Sequence, residues 1–327
     1  MTVNLTRPNI GTKYMPIYLE SLRIDTVLNF DLYIKIGSEM ILYRSADLPF
    51  TYKTRDKLLE NKVTRLYVSK QYQHQYQHYI EQNLDKILED NNIPEPKKAG
   101  ILYETSKTLM KEVLENPTYG DNIKRSKEMV SNTVGFILKG QAAFHNLLKI
   151  SSFDYYTYTH SVNVCTFAVA LAQQVGLNDE EYLHELGTGA LLHDIGKSKI
   201  SERILNKRSS LTAMEFELMK KHPKWGIEIL SGTDLITASS YYPVLQHHER
   251  GNRSGYPNQL SLSEMHDSSR IVAIVDTFDA MTTERVYQKA KDTYPALQTM
   301  FELDDEYDQE FLRAFAELMG PSGLLNI

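Results

Sequence analysis

Two spacings of apolar residues divide the chain. In FDLYIKIG, residues 30–37, Phe30, Leu32, Ile34 and Ile36 alternate with Asp31, Tyr33 and Lys35, the two-residue period of a strand with one buried face. Gly37 and Ser38 offer a turn into EMILYR. A helical stretch from about Arg55 to Asn61, the short strand RLYVS and the long polar helix KQYQHQYQHYIEQNLDKILED follow. Residues 1–91 are therefore expected to form a small α+β module. In its long helix Tyr72, Tyr76 and Tyr79 fall on one stripe, which reads as packing rather than as a platform for stacked bases. Pro94 and Pro96 bias their predecessors away from helix and predict a break. Connecting helices over residues 92–150, at about 99–115 and 121–150, are parted by Pro117 and Gly120.

From residue 151 to 327 the pattern is almost wholly helical, so the fold class is mainly α. Gly176 is placed to end one helix, and Asn178 with Glu181 is expected to cap the next. In LTAMEF, Thr212 and Glu215 form a capping box, with Leu211 and Phe216 as a hydrophobic staple. A helix over 267–282 is apolar at Ile271, Val272, Val275 and Phe278. It carries Asp276 and Asp279 three apart and hence on one face.

Composition narrows the class without deciding it. The 327 residues are 42% hydrophobic and 24% charged, the profile of a globular chain with an ample core. A formal net charge of −6 gives no footprint for bulk nucleic acid. A lone cysteine, Cys165, forms no internal disulfide and reads as a buried small residue. The N-terminus lacks a signal-peptide pattern and no apolar run suffices to span a bilayer, so a cytoplasmic location is expected.

The chemistry concentrates in histidines. His160, His193, His222, His247 and His248 each lie in or beside an expected helix rather than in a His-rich tail. Imidazole and carboxylate donors without thiolates suit divalent iron, manganese or zinc. Successive helical residues point about 100° apart, so His247 and His248 are expected to serve two different metals. By the same reasoning Asp194 bridges two ions while His193 ligates one, and Gly196 ends the helix to turn Lys197 over the site. Two ions about 3.5–4 Å apart offer a bridging hydroxide and paired Lewis acids for a phosphate ester. Lys197 then neutralises the phosphate or leaving oxygen, and Arg285 clamps a nonbridging oxygen.

Five ordered stretches, HSVNV, LLHDIGKSKI, LTAMEFELMKKHPKWGIEIL, HHERGNRSGYP and RIVAIVDTFDAMTTERVYQKA, resemble the HD-GYP branch of the HD-domain phosphohydrolases from about Asp154 to Gly323. The resemblance implies an HD-type helical bundle over residues 151–327 holding two or three metals and hydrolysing cyclic di-GMP to the linear dinucleotide pGpG or to GMP. It implies His160, His193, Asp194, His222, His247, His248 and Asp276 as metal ligands, with Asp279 supporting them. Lys197, Arg285 and Tyr256, the last in a loop with Gly255 and Pro257, fall on its substrate-handling positions. Tyr156 stands where three-metal members carry a glutamate, so two divalent ions, iron or manganese with zinc also accepted, are expected. Val286 and Gln288 replace a proline and a basic residue of the substrate-binding stretch, and Arg253 offers a cation from the other side. The expected partners are cyclic di-GMP, a signalling protein at the N-terminal module and a second copy of the chain. Two alternatives stay open: a sensor that binds the dinucleotide without turnover, and a hydrolase of another cyclic dinucleotide such as 3′,3′-cGAMP.

Overall fold

The structure, a computed structural model, describes residues 13–151, 157–207, 209–283, 290–303 and 305–320. The chain divides into two compact units, Met1–Thr105 and Ser106–Ile327.

In the first unit the strands are β1 (Tyr14–Tyr18), β2 (Thr26–Val27), β3 (Leu32–Ile36), β4 (Glu39–Arg44), β5 (Pro49–Phe50) and β6 (Arg65–Ser69). Four of them form an antiparallel sheet in the order β1-β6-β3-β4, and β2 pairs with β5. Helix α1 (Tyr52–Glu60) starts on the Thr51 cap, and α2 (Gln73–Glu89) follows β6. The alternation in β3 buries only its first part. Phe30 and Leu32 are wholly buried, whereas Ile36 at the hairpin tip is 57% exposed because the turn carries it beyond the core. Two tyrosines of the expected stripe pack: Tyr76 and Tyr79 meet the edges of Phe30, and the Tyr79 hydroxyl accepts the Arg23 amide, while Tyr72 lies just before α2.

Helix α3 (Glu95–Glu115) resumes right after the break, because Pro96 falls in the first turn, where its missing amide costs nothing. The second unit continues with α4 (Gly120–Ile137), α5 (Gln141–Ile150), α6 (Thr157–Gln174), α7 (Glu180–Leu192) and α8 (Glu202–Leu205). It ends with α9 (Ala213–Met219), α10 (His222–Ser231), α11 (Tyr241–Gln246), α12 (Asp267–Thr282), α13 (Thr293–Phe301) and α14 (Gln309–Met319). The single helix expected over 121–150 is two, split at Gly140, whose φ of 121° only glycine adopts readily. The cap of α7 is Asp179, one residue beyond the expected Asn178; its carboxylate accepts the Tyr182 amide at 2.8 Å and complements the helix dipole.

Helices α6 and α12 form the middle of this unit, packed on each other, with α7 and α14 against α6. Ile271, Val272, Ile274, Val275 and Phe278 of α12 are all buried. Each such side chain contributes about 1.5–3 kcal/mol, and together they hold the backbone that carries Asp276 and Asp279. Among the described residues no helix is long and apolar enough to cross a membrane. Cys165 is buried, and burial pushes its thiol up to about 12, which makes it inert.

Candidate metal centre

The expected ligands come from the ends or middles of five helices. His160 sits in α6, His193 caps the C-terminus of α7, His222 opens α10, His247 caps α11 and Asp276 lies in α12. Two groups form. His160, His193 and Asp194 offer ligand atoms within 4.8 Å of one another, as do Asp194, His222, His247 and His248. Asp194 is common to both: its Oδ2 lies 3.4 Å from His193 Nε2 and 3.7 Å from His160 Nε2, while Oδ1 lies 3.3 Å from His222 Nε2 and 3.8 Å from His247 Nε2. One oxygen for each group is the geometry of a bridging carboxylate. Asp276 stands across from it, with Oδ1 3.0 Å from His160 Nε2 and Oδ2 3.7 Å from His248 Nδ1.

His247 and His248 depart from the expectation that adjacent histidines serve separate ions, since both belong to one group and their rings are 4.1 Å apart. Both follow the last residue of α11, Gln246, and both offer a ring nitrogen to the group that contains Asp194 and His222. Gly196 also has a different reason from the expected helix stop. A Cβ there would stand 2.0 Å from the His222 carbonyl oxygen and 2.6 Å from the Gly226 amide. Glycine lets the turn after Asp194 press against α10 and bring His222 to Asp194. Lys197 Nζ reaches Asp194 Oδ2 at 2.5 Å.

Four imidazoles are fixed from behind. Nδ1 of His160 lies 2.7 Å from Asp279 Oδ2, that of His193 2.7 Å from the Ala190 carbonyl, that of His222 2.7 Å from the Met219 carbonyl and that of His247 2.9 Å from the Pro243 carbonyl. These oxygens only accept, so each Nδ1 carries the proton and each Nε2 turns a lone pair inward. The inward nitrogens face each other and the carboxylates: His222 Nε2 and His247 Nε2 are 3.1 Å apart. His193 Nε2 and Asp194 Oδ1 are buried with no hydrogen-bond partner among the described residues. Lone pairs so placed repel unless positive charge sits between them.

Protons on the inward nitrogens would supply that charge, but burial pushes His222 below its ordinary value and His247 and His248 well below theirs. Burial would raise Asp194, yet the Lys197 ammonium and then the facing imidazoles outweigh it and hold the carboxyl well below the usual carboxylate range. Asp276 is shifted the same way, burial being overcome by the neighbouring imidazoles of His160, His248 and His193. The nitrogen and oxygen donors that converge here are consistent with a binuclear metal site.

Several supporting residues had weaker signals in the sequence. Asn163, one turn after His160, donates to Asp279 Oδ1 at 2.8 Å, a spacing that could have identified it. Glu249, fully buried, accepts the amides of Asn258 at 2.6 Å and Leu260 at 2.9 Å. It ties down the loop of Gly255, Tyr256 and Pro257, the last two joined by a cis peptide bond. A Cβ at Gly255 would meet the Arg250 amide at 2.4 Å, so only glycine lets this loop fold onto His248. The Tyr256 ring then lies 4.8 Å from the His248 ring and lines a pocket of about 530 Å³ beside it. Arg253 does not line that pocket; it takes a left-handed φ of 69° and its guanidinium meets Glu264 at 2.8 Å and the Gln259 carbonyl at 3.2 Å. Tyr156, Arg285, Val286 and Gln288 lie outside the described residues.

The sequence profile of the HD domain family matches residues 142–311. The chain belongs to the HD domain family. The HD domain carries both groups of candidate metal ligands, and the resemblance to the HD-GYP branch extends to named relatives. The chain is 33% identical over 235 residues to the cyclic di-GMP phosphodiesterase PA4108 of Pseudomonas aeruginosa, covering 71% of this chain and 56% of that one. It is 34% identical over 164 residues to 3′3′-cGAMP-specific phosphodiesterase 2 of Vibrio cholerae, covering 50% of this chain and 31% of that one. The chain thus spans about half or less of the length of these relatives. In fold it is similar to Bd1817, an HDG"Y"P protein from Bdellovibrio bacteriovorus, with a TM-score of 0.65 at 23% identity over 93% of this chain and 99% of that one.

Proposed function

We propose that this protein hydrolyses a phosphodiester bond of cyclic di-GMP, releasing linear pGpG or GMP, with two divalent ions. The observation that carries this reading is Asp194, with one carboxylate oxygen directed at each group of histidines. His160 and His193 with Asp194 would hold one ion, His222, His247 and His248 with Asp194 the other, and Asp276 stands opposite Asp194. Iron or manganese is the expected pair, and zinc is accepted by the same donors. When bound, the ions supply Lewis acidity and lower the pKa of a coordinated water.

The remaining work falls to side chains of this chain. Asp279 fixes the His160 ring, so that its inward nitrogen keeps its lone pair. Lys197, 16% exposed and held at Asp194, is placed to neutralise the phosphate and protonate the departing oxygen. Tyr256, whose phenol burial pushes up, stays protonated and offers a donor at the mouth of the site. Arg285 is assigned to a nonbridging phosphate oxygen and Gln288 to a weaker substrate contact. The N-terminal module is assigned a regulatory or partner-docking role.

A second substrate is favoured by one specific finding, the likeness to a relative named for 3′,3′-cGAMP. Anaerobic purification with metal quantification, followed by parallel turnover assays on both dinucleotides, tests the reading. Two ions per chain and linearisation of cyclic di-GMP are expected. A fully metallated protein that leaves both intact would be a binder rather than an enzyme, and turnover of 3′,3′-cGAMP alone would replace the substrate.

A further inference from the structure

The pocket beside His248 has a second wall, built by the end of α9 and the start of α10. Phe216, Lys220, Lys221 and Lys224 line it. Phe216 stands where a hydrophobic staple was expected, yet it is 47% exposed. Its ring lies 6.4 Å from Tyr256 at 81°, so three rings, His248, Tyr256 and Phe216, lead outward from the metal-ligand groups. Lys220 sits 5.3 Å over the Phe216 ring and pairs with Glu217 at 2.5 Å. Lys221, just before α10, and Lys224, in its first turn, are exposed, with no ion-pair partner among the described residues.

We propose that this wall is the subsite for the second nucleotide of a cyclic dinucleotide: its purine stacks on Phe216 and its phosphate meets Lys221 and Lys224. This rests on the phosphodiesterase reading above. A cyclic dinucleotide carries two phosphates, and when one is at the metals the other must be held outside them. An exposed phenyl ring gains little in water but stacks on any purine. Unpaired ammonium groups beside it attract a phosphate without selecting the base. Such a wall also supplies cations from α10 in a chain whose substrate-binding stretch carries Gln288 instead of a basic residue.

The test is equilibrium binding of hydrolysis-resistant bis-phosphorothioate cyclic di-GMP to the metal-loaded full chain. Phe216→Ala is expected to raise Kd about tenfold and Phe216→Tyr to restore it. Lys221→Ala with Lys224→Ala is expected to raise Kd about tenfold at low salt, the gap closing near about 0.5 M salt, where screening removes the ionic contribution. Lys139→Ala with Lys149→Ala, an equal loss of charge outside the pocket lining, controls for net charge. A wild-type protein that does not bind the dinucleotide overturns the proposed function and the subsite together. Tight wild-type binding that Phe216→Ala and the double lysine variant leave unchanged overturns the subsite alone.

Discussion

The metal-ligand groups and the pocket wall next to them solve opposite problems. At the centre His160, His193, His222 and His247 are buried, and each ring is oriented by an acceptor behind it. On the wall Phe216, Lys221 and Lys224 are exposed and able to adapt. Metal ligation rewards preorganisation, because a ring held at the right tautomer pays no ordering cost when the ion arrives. Recognition of a large, flexible anion rewards reach. The contrast implies that changes at the centre should remove metal, whereas changes on the wall should weaken binding of the dinucleotide with metal content intact.

The largest effect should follow Asp194→Ala. Both groups lose their shared carboxylate, so bound metal should fall below one ion per chain and turnover on the order of 10³-fold; metal analysis beside a rate assay reads both. Asp279→Asn comes next. It keeps the shape but weakens the acceptor behind His160, and should cost about 10–100-fold in metal affinity, measurable by competition with a chelator. Gly196→Ala should destabilise the fold by about 1–3 kcal/mol or more, because the added methyl meets the His222 backbone. Denaturant unfolding of the metal-free protein would show it, and an unchanged midpoint would remove the close approach from the account.

The smallest effect concerns pH. His247 and His248 are held well below their ordinary value, chiefly by burial. Their folded state resists protonation, so stability is full above about pH 6.5 and is lost as pH falls below it, by at most about 1.4 kcal/mol per unit for each ring. Asp194 and Asp276, also lowered, lose their contribution only at far lower pH. The melting temperature of the metal-free protein should therefore drop between about pH 7 and pH 5, and bound metal should offset the drop. Wall variants should leave this slope alone, which separates the two regions again.

Much of the centre was legible in the order of residues. Histidines beside helix ends, a His-Asp pair after an apolar run and two aspartates one turn apart are local patterns, and local periodicity survives translation into sequence. That His247 and His248 join one group was not legible, because it depends on where α7 and α10 bring Asp194 and His222. Nor was the role of Gly196. Glycine before a lysine reads as a helix stop, and only the position of α10 shows that the missing Cβ makes room for the His222 backbone. The exposure of Phe216 was not legible for a related reason. The capping box around Thr212 and Glu215 is present, but the side-chain direction of the residue after it depends on what α10 and the Tyr256 loop place nearby.

The sequence by itself determined the helical class, the α+β start, the donor types and the exclusion of a thiolate site, since these depend on residue identity and on spacing within one element. Tertiary structure alone decided that Asp194 gives one oxygen to each group, that His247 and His248 share a group, and that the lone pairs converge. Those facts depend on distances between elements far apart in the chain, which are set by packing of α6, α7, α10, α11 and α12 rather than by any one segment.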